Sequence, residues 1–355
     1  MRPAAFTGRM RVRHPLVLAP MAGGPSTAAL CAAVSEAGGL GSYGAAYLSP
    51  GRLREEIRAI RALTAKPFAV NLFADDGAEA DPPVLVAAQG AVAKYRAELG
   101  LPPAAPPARP VTLQEAFPVL LEERVPAFSF TFGIPPPTIL EACRKAGIVT
   151  IGTATSVAEA RALEEAGVDF ICAQGAEAGG HRGTFNRDAD PPLVGTLALV
   201  PQVVDAVRTP VIAAGGIMDG RGFAAALALG ASAVSLGTAF LLCPEAGTSN
   251  PYRDALKGAR DDATVITRAF SGRAARGLAN RFTREMSGAP LAPYPAQNAL
   301  TREIRTAAAK DGNASLLSLW AGQAARLARE LPARELVAQI LREADEVIGQ
   351  LRPEP

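Results

Sequence analysis

Short hydrophobic runs alternate with longer amphipathic stretches between residues 16 and 240. Several of these runs are apolar throughout, which is typical of parallel β-strands covered on both faces. The amphipathic stretches predict helices, for example at 51–63, 156–166 and 220–229, and several of them end at a glycine turn before the next strand. The pattern predicts eight strands, at 16–20, 40–45, 68–73, 127–132, 148–152, 170–174, 210–214 and 233–237.

Eight consecutive strand–helix units predict an α/β fold, a (β/α)8 TIM barrel, rather than an open doubly wound sheet. Two segments exceed what such a barrel needs. Residues 74–110 predict an insertion after the third strand, with a helix at 84–99, and the long tail predicts amphipathic helices at 300–310 and 333–351. We therefore expect a barrel formed by residues 1–74 and 111–245. Residues 75–110 and 246–355 would form a smaller, mainly helical cap over one end of it.

The composition is that of a folded globular protein, with 49% hydrophobic and 20% charged residues. A formal net charge of only +2, with both signs intermixed, argues against a nucleic-acid partner. Two uncharged stretches, 16–35 and 222–244, are interrupted by turn residues, so neither predicts a membrane span. The four cysteines lie far apart, and no A-x-A cleavage pattern follows the N-terminus. These features favour free thiols over disulfides and a soluble, cytoplasmic protein.

Residues that follow the barrel strands are the candidates for a functional site, because barrel active sites lie at the carboxyl ends of the strands. After the seventh predicted strand, Gly215 and Gly216 lack a Cβ, so their N–H groups can approach an anion closely. The eighth strand leads into a short apolar helix through Ser235, Leu236, Gly237 and Thr238. A glycine pair alone is also compatible with a simple tight turn. Both features on adjacent strands predict a phosphate-binding site.

Other motifs are excluded by their context. Gly39, Gly41 and Gly44 match G-x-G-x-x-G, but a helix precedes the match and the match runs through a predicted strand. A dinucleotide-binding fingerprint needs the opposite order, so we expect no Rossmann site. The sequence has no H-x-x-H, H-E-x-x-H or Cys/His cluster, and no G-x-S-x-G, so we expect neither a metal site nor a serine hydrolase.

Two histidines occur in the sequence. His14 precedes Pro15 in the lead-in to the first strand, where a solvated or packing role is expected. His181 follows a glycine pair after the sixth strand and would face the same end of the barrel as the phosphate site. An imidazole there can accept or hold a proton near neutral pH, so His181 is the candidate catalytic residue, with a structural role as the alternative.

Two amides lie at strand ends, Asn71 and Gln174. Such groups both donate and accept hydrogen bonds and suit a planar heterocycle such as a flavin, although buried structural amides are also common. Tyr294 and Trp320 of the tail either line a substrate pocket or pack within the cap. Cys172 lies within a predicted strand and receives no role.

The motifs together resemble the nitronate monooxygenase family, formerly called 2-nitropropane dioxygenase, in its bacterial class I branch. The matching segments are PMAGG at 20–24, NLF at 71–73, QG at 174–175, HRG at 181–183, AGGI at 214–217, LGTAF at 236–240 and SLWAGQ at 318–323. This resemblance implies a non-covalent FMN at the barrel mouth and oxidation of alkyl nitronates by O2. Propionate 3-nitronate is the expected substrate, with an arginine or lysine of the cap pairing its carboxylate.

The resemblance also implies roles for particular residues. His181 would be the catalytic, substrate-contacting histidine. The FMN-binding residues would be Met21, Ala22, Asn71, Gln174, Gly179, Gly215, Gly216, Ser235, Leu236, Gly237 and Thr238. The expected partners are the small-molecule nitronate and O2, with no nucleic acid and no membrane, for a monomer or a homodimer.

Two alternatives remain open from the sequence. A flavin-dependent NAD(P)H reductase, of the enoyl-acyl-carrier-protein or quinone reductase type, resembles this barrel and shares its glycine motifs. It would be bleached rapidly by NADPH. A non-catalytic flavin- or phosphate-binding protein would turn over neither nitronates nor NAD(P)H.

Overall fold

Eight parallel strands form the predicted barrel. The computed structural model describes residues 2–107, 109–185 and 192–351. The strands are β1 (Leu16–Leu18), β2 (Gly41–Gly44), β3 (Phe68–Phe73), β4 (Ala127–Thr131), β5 (Val149–Ala154), β6 (Phe170–Gln174), β7 (Gly180–His181), β8 (Val211–Ala214), β9 (Ala233–Leu236), β10 (Thr264–Thr267) and β11 (Ala275–Leu278). All but β7, β10 and β11 belong to the barrel. Each barrel strand lies within two residues of its predicted ends.

The barrel strands pair in parallel in the order β1-β9-β8-β6-β5-β4-β3-β2. The barrel is closed between β1 and β2, where Leu40 N donates to Leu16 O (2.8 Å) and Leu18 N donates to Leu40 O (2.9 Å). The register sets Gln174 opposite Ala214, and Ala214 opposite Ser235. The carboxyl ends of β6, β8 and β9 therefore lie side by side.

Helices alternate with the strands and cover the barrel. They are α1 (Arg2–Met10), α2 (Ala28–Glu36), α3 (Pro50–Leu63), α4 (Pro82–Glu98), α5 (Leu113–Glu122), α6 (Pro137–Ala146), α7 (Val157–Glu165), α8 (Thr196–Ala206), α9 (Gly220–Ala228), α10 (Asn250–Lys257), α11 (Arg281–Glu285), α12 (Ala296–Lys310) and α13 (Ala333–Gln350). Local sequence fixes several starts. Thr112 and Glu115 form a reciprocal capping box on α5, and the Asp219 carboxylate accepts from two N–H groups of α9.

The N-terminal helix α1, which the sequence pattern did not reveal, closes the amino end of the barrel. Phe6 and Met10 of α1 are buried against the strand residues at that end, among them Phe170. None of the described helices is both long and apolar enough to cross a membrane.

The insertion and most of the tail lie together over the carboxyl end of the barrel. Helix α4 of the insertion packs against α12 of the tail, and the two share a second hydrophobic core with Phe270 and Phe282. The sequence predicted a mainly helical cap, but β10, β11 and β7 also form a three-stranded antiparallel sheet there.

The last helix lies elsewhere than expected. The division into barrel and cap remains a prediction, but α13, which that prediction placed in the cap, packs against α2 and α9 of the barrel. The reason is its apolar stripe, Leu336, Val337 and Ile340, which is buried in the barrel's own core.

Candidate active site

A cavity of about 590 Å³ lies at the carboxyl ends of the barrel strands, where α12 and the 317–324 segment cover it. Sites for cofactors and small molecules commonly enclose about 300–1,000 Å³. The predicted site residues that line it are Met21, Ala22, Asn71, Gln174, Gly179, His181, Gly215, Gly216, Ser235, Gly237 and Thr238. Leu236 does not line it, because its side chain is buried in the barrel core. All but one of the predicted residues therefore meet at one cavity.

A smaller cavity of about 310 Å³ adjoins the first and shares part of the α12 wall with it. Two of its charged residues, Arg96 and Asp75, already form ion pairs. None of the predicted phosphate-binding glycines lines it. We therefore place the candidate site in the larger cavity.

The glycines after β8 are required by the backbone and by their neighbours. Gly215 and Gly216 have φ angles of +121° and +69°, a region that residues with a Cβ rarely adopt. A Cβ on Gly215 would lie 2.7 Å from Thr196 Oγ1, and one on Gly216 would lie 3.0 Å from Glu177 Cβ. The Glu177 carboxylate accepts from Thr196 N and Oγ1, which fixes the loop after β6 against the start of α8, and Thr196 Oγ1 also lies 2.9 Å from Gly215 O of the glycine loop.

The backbone donors of this region are available to a ligand. Neither Gly216 N–H nor Thr238 N–H donates a hydrogen bond to any other described residue. Thr238 is the first residue of a 3₁₀ turn, Thr238–Phe240, so its N–H is at the start of that turn. Unpaired donors at the ends of two adjacent strands are suited to an anion such as a phosphate group.

The tail holds the sixth-strand loop in place. Gly322 N donates to Thr238 Oγ1 (2.9 Å), and Gln323 N donates to Glu177 O (2.9 Å). A Cβ on Gly179 would lie 2.6 Å from the backbone of Ala321, so only glycine allows the two segments to approach. The segment at 318–323 is therefore a wall of the cavity.

His181 lies on β7, one of the short cap strands, opposite Ala275 of β11. Its Nε2 is 2.8 Å from Ser271 Oγ. The ring packs edge-on or tilted against Phe132, Tyr294 and Trp320, with ring centroids 5.5–6.4 Å apart. His14, by contrast, precedes β1 at the opposite end of the barrel, as expected for a residue outside the site.

Burial keeps the imidazole neutral. Desolvation, and then the nearby Arg273 and Arg305 guanidinium groups, lower the pKa of His181 to about 3. The sequence suggested an imidazole that titrates near neutral pH. At pH 7 the ring is instead an uncharged group, which can accept a proton but does not itself balance a negative charge.

The two predicted amides are used differently. Gln174 Nε2 donates to His181 O (3.0 Å) and Gln174 Oε1 accepts from Gly183 N (2.8 Å), so this side chain holds the histidine loop. Asn71 is buried, and its Nδ2 donates to Ser129 Oγ (3.0 Å). Its Oδ1 accepts no hydrogen bond from the described residues and is left for a ligand.

One wall of the cavity is aromatic and strained. Phe132 has a φ of +74°, an outlier for a bulky residue. Its ring lies 4.5 Å from that of Phe73, and the Arg273 guanidinium stacks over it at 3.8 Å. Of the two tail aromatics whose role the sequence left open, Trp320 lines this cavity, and Tyr294 lines the smaller, adjoining one.

Arg305 and Tyr47 are among the polar groups of the cavity that sequence reasoning missed. Arg305 donates to Asn298 O and Oδ1 (2.9 and 2.8 Å) and forms no ion pair with a described carboxylate. Burial above all lowers the pKa of Arg305 to about 10, so it remains a cation at neutral pH. The Tyr47 hydroxyl hydrogen bonds with that of Tyr294. Arg305 lies on a helix that was predicted, but no motif marks which of its faces meets the cavity.

Comparison with known proteins identifies the family of this chain. The family model described as nitronate monooxygenase matches residues 5–343. A probable nitronate monooxygenase from Staphylococcus saprophyticus is 42% identical over 349 residues, which is 97% of this chain and 98% of that protein. A counterpart from Staphylococcus aureus is 43% identical over 350 residues, with the same coverage.

Solved structures give the same result. A nitroalkane oxidase from Streptomyces ansochromogenes superposes with a TM-score of 0.92 at 42% identity, covering 98% of this chain and all of that one. FabK from Thermotoga maritima superposes with a TM-score of 0.74 at 32% identity, covering 98% of this chain and 97% of that one. The chain is therefore an oxidoreductase that belongs to the nitronate monooxygenase family.

Proposed function

We propose that this protein binds FMN in the larger cavity and oxidises alkyl nitronates with O2, with propionate 3-nitronate as the preferred substrate. The observation that carries the proposal is a single cavity that combines a neutral histidine with backbone donors that have no acceptor among the described residues and a half-buried arginine that forms no ion pair with a described carboxylate. The backbone donors suit the phosphate of the cofactor, the arginine suits an anionic substrate, and the histidine provides an uncharged ring nitrogen that can accept a proton.

The residues present fit FMN. Gly215, Gly216, Gly237 and Thr238 would hold the phosphate through their backbone, at positions where a Cβ on either Gly215 or Gly216 would collide with its neighbours. Asn71 Oδ1 would accept from the ring edge. Met21 and Ala22 would flank the ring. Gln174 would contribute indirectly, because both of its polar atoms already support the loop that carries His181.

The chain's own residues then account for substrate selection. FMN, when bound, supplies the electron acceptor that links substrate oxidation to O2. A nitronate is already a carbanion equivalent, so it needs no base. A neutral nitroalkane must first lose a proton from carbon, and we assign this proton to the imidazole of His181, which lines the cavity and is uncharged at neutral pH.

Arg305 would bind the carboxylate of propionate 3-nitronate. Its cation is half-buried in the cavity wall, near enough to His181 to depress the pKa of that ring. Arg302, one turn earlier on α12, lines the same cavity. A half-buried guanidinium that forms no ion pair with a described carboxylate favours an anionic ligand group, and charge-assisted pairs are the stronger hydrogen bonds.

The direct test is an absorbance spectrum of the purified protein, followed by O2 uptake with propionate 3-nitronate and, separately, anaerobic mixing with NADPH. We expect a stoichiometric flavin that is released as FMN by denaturation, and O2 uptake with the nitronate. Rapid bleaching by NADPH without nitronate turnover would instead establish the reductase alternative. A yellow protein inactive in both assays would establish a binding protein. Cytoplasmic location and a monomeric or homodimeric state remain predictions.

The role of Arg305 is tested by Arg305→Met. Loss of one charge-assisted pair, worth about 1.5–3 kcal/mol, should raise KM for propionate 3-nitronate by roughly 10- to 100-fold. KM for ethyl nitronate, which has no carboxylate, should change by less than about threefold on the same reasoning. Arg284→Met, which removes an exposed charge from the cap, is the control. Equal losses with both substrates would exclude a carboxylate contact.

A further inference from the structure

The hydroxyl of Ser271 is the polar side-chain group that contacts the His181 ring. Ser271 is 1% exposed and lies in the tail, 90 residues along the chain from His181, between β10 and β11. Its Oγ is 2.8 Å from His181 Nε2. The two residues therefore meet only because β11 pairs with β7.

The other contacts of Ser271 bear on the direction of this hydrogen bond, which the 2.8 Å distance alone does not fix. Ser271 Oγ is placed to donate to Arg273 O at 3.1 Å, and it accepts from Arg273 N at 3.3 Å. A hydroxyl has one proton. With that proton directed at the carbonyl, Ser271 Oγ would accept from the histidine, and the ring proton would lie on Nε2.

The surroundings of the ring preserve this arrangement. The backbone carbonyl of His181 accepts from Gln174 Nε2, and the imidazole ring contacts the rings of Phe132, Tyr294 and Trp320. A neutral imidazole with its proton on Nε2 has its lone pair on Nδ1. Nδ1 has no hydrogen-bond partner among the described residues.

We propose that Ser271 is a positioning residue that holds His181 in the Nε2–H tautomer, so that Nδ1 is the atom that accepts the proton of a neutral nitroalkane. The proposal rests on the proposed role of His181. It assigns a specificity to Ser271: the hydroxyl matters for substrates that must be deprotonated and matters little for preformed nitronates, which carry no such proton.

The tautomer is measured without catalysis. His14→Gln leaves His181 as the only histidine, so selective ¹⁵N labelling of histidine in the flavin-loaded protein gives the two ring nitrogens of one residue. We expect a protonated Nε2 and an unprotonated Nδ1 at pH 7, and a loss of this strict preference in His14→Gln/Ser271→Ala. A protonated Nδ1 in the His14→Gln protein overturns the proposal, whatever the enzyme's substrate proves to be.

The kinetic test compares nitroethane with ethyl nitronate. A general base contributes about 10²–10⁴-fold, and misplacing a catalytic group can cost about 100-fold, so loss of both the ring's orientation and its tautomer preference in Ser271→Ala should lower kcat/KM for nitroethane by about 10- to 100-fold. The value for ethyl nitronate should remain within about threefold, because no proton is removed. An unchanged nitroethane rate, or equal losses with both substrates, overturns the positioning role.

Ser35→Ala is the matched control. Ser35 is also buried, and its hydroxyl also donates to a backbone carbonyl (Pro67 O, 2.9 Å) and accepts from a backbone N–H (Gly41 N, 3.1 Å), but it lies on α2. Ser35→Ala should lower stability by about as much as Ser271→Ala. It should leave unchanged the His181 tautomer and the ratio of kcat/KM for nitroethane to that for ethyl nitronate. If the unsubstituted enzyme turns over neither substrate, the proposed function fails, while the tautomer measurement still tests the contact.

Discussion

The protonation state of His181 follows from what surrounds it rather than from the residue type. Desolvation is the largest cause of its lowered pKa, and two guanidinium groups add to it. Below its unfolded pKa of about 6.5, the unfolded chain would bind a proton at this residue and the folded chain would not, so the contribution of His181 to stability decreases as the pH falls from about 6.5 towards 3. Between pH 5 and pH 8 the folded ring remains neutral.

His181→Asn should separate proton removal from nitronate oxidation. Asparagine keeps a polar group but provides no base, so kcat/KM for nitroethane should fall by about 100-fold or more, and that for ethyl nitronate by less than about tenfold. Oxygen uptake with each substrate measures both. Bound flavin should be retained, since Gln174 contacts the backbone of residue 181 and not its ring.

The pH profile gives an independent check on the same group. Because the pKa of His181 is lowered to about 3, the ratio of wild-type to His181→Asn rates on nitroethane should be constant between pH 5 and pH 8. The ratio cancels the ionisation of the substrate itself. A ratio that falls as the pH is lowered, with a midpoint near pH 6.5, would show a solvated histidine. Equal rates for the wild type and His181→Asn would remove His181 from the mechanism.

Individual site residues were predictable where they follow a strand. The glycine pair after β8 and the histidine after β6 are marked by their position at the carboxyl edge. Ser271, Arg305 and Tyr47 were not identified, because they come from the tail and from a strand-end loop with no recognisable motif. Their neighbours are distant in sequence, so only the folded chain shows which of their atoms meet.

At the scale of elements, the barrel strands are determined by local pattern and the cap strands are not. Continuous apolar runs predicted each barrel strand to within two residues. Strand β7 has only two residues. In β11, the side chain of Arg276 is buried, and its Nε donates to Ala176 O (2.8 Å). A buried charge satisfied by a distant carbonyl leaves no hydrophobic pattern to recognise. These same short strands carry His181 and hold Ser271 beside it.

The loop after β8 provides the element-scale prediction. Gly216→Asp places a Cβ against Glu177 and a carboxylate among the N–H donors of the phosphate site, so we expect a folded protein that has lost at least 90% of its flavin, on the order of a tenfold or larger loss in affinity. The measurement is the ratio of flavin to protein absorbance after purification.

Gly312→Asp controls for the backbone. Gly312 has a φ of +70°, nearly the same as the +69° of Gly216, but it lies in the turn after α12 with open space around its Cβ position. It should keep its flavin. If Gly216→Asp also retained stoichiometric flavin, the loop would be only a turn, and the phosphate would have to bind elsewhere.

At the scale of the molecule, a helix closes one end of the barrel, and the candidate site lies at the other end. The amino end is filled by α1, and α13 returns to the barrel wall, where Gly220 allows close contact: a Cβ there would lie 2.3 Å from Ala344 N. The barrel itself was predictable from its strand–helix period. The positions of α1 and α13 were not, because an amphipathic helix indicates that one face is buried but not against which partner.

This separation of ends predicts that stability and cofactor binding can be changed independently. Phe6 is fully buried, and its ring centroid is 5.2 Å from that of Phe170, at the end of the barrel opposite the cavity. Phe6→Ala should lower the free energy of unfolding by about 3–5 kcal/mol, as truncation of a core phenylalanine does. In urea titrations the midpoint should fall, while flavin content and kcat at 25 °C remain unchanged. Leu63→Ala, at a side chain that is 55% exposed, should shift stability by less than about 0.5 kcal/mol. A loss below about 1 kcal/mol for Phe6→Ala would mean that α1 contributes little to closing the barrel, since a packed phenylalanine cannot be removed at so small a cost.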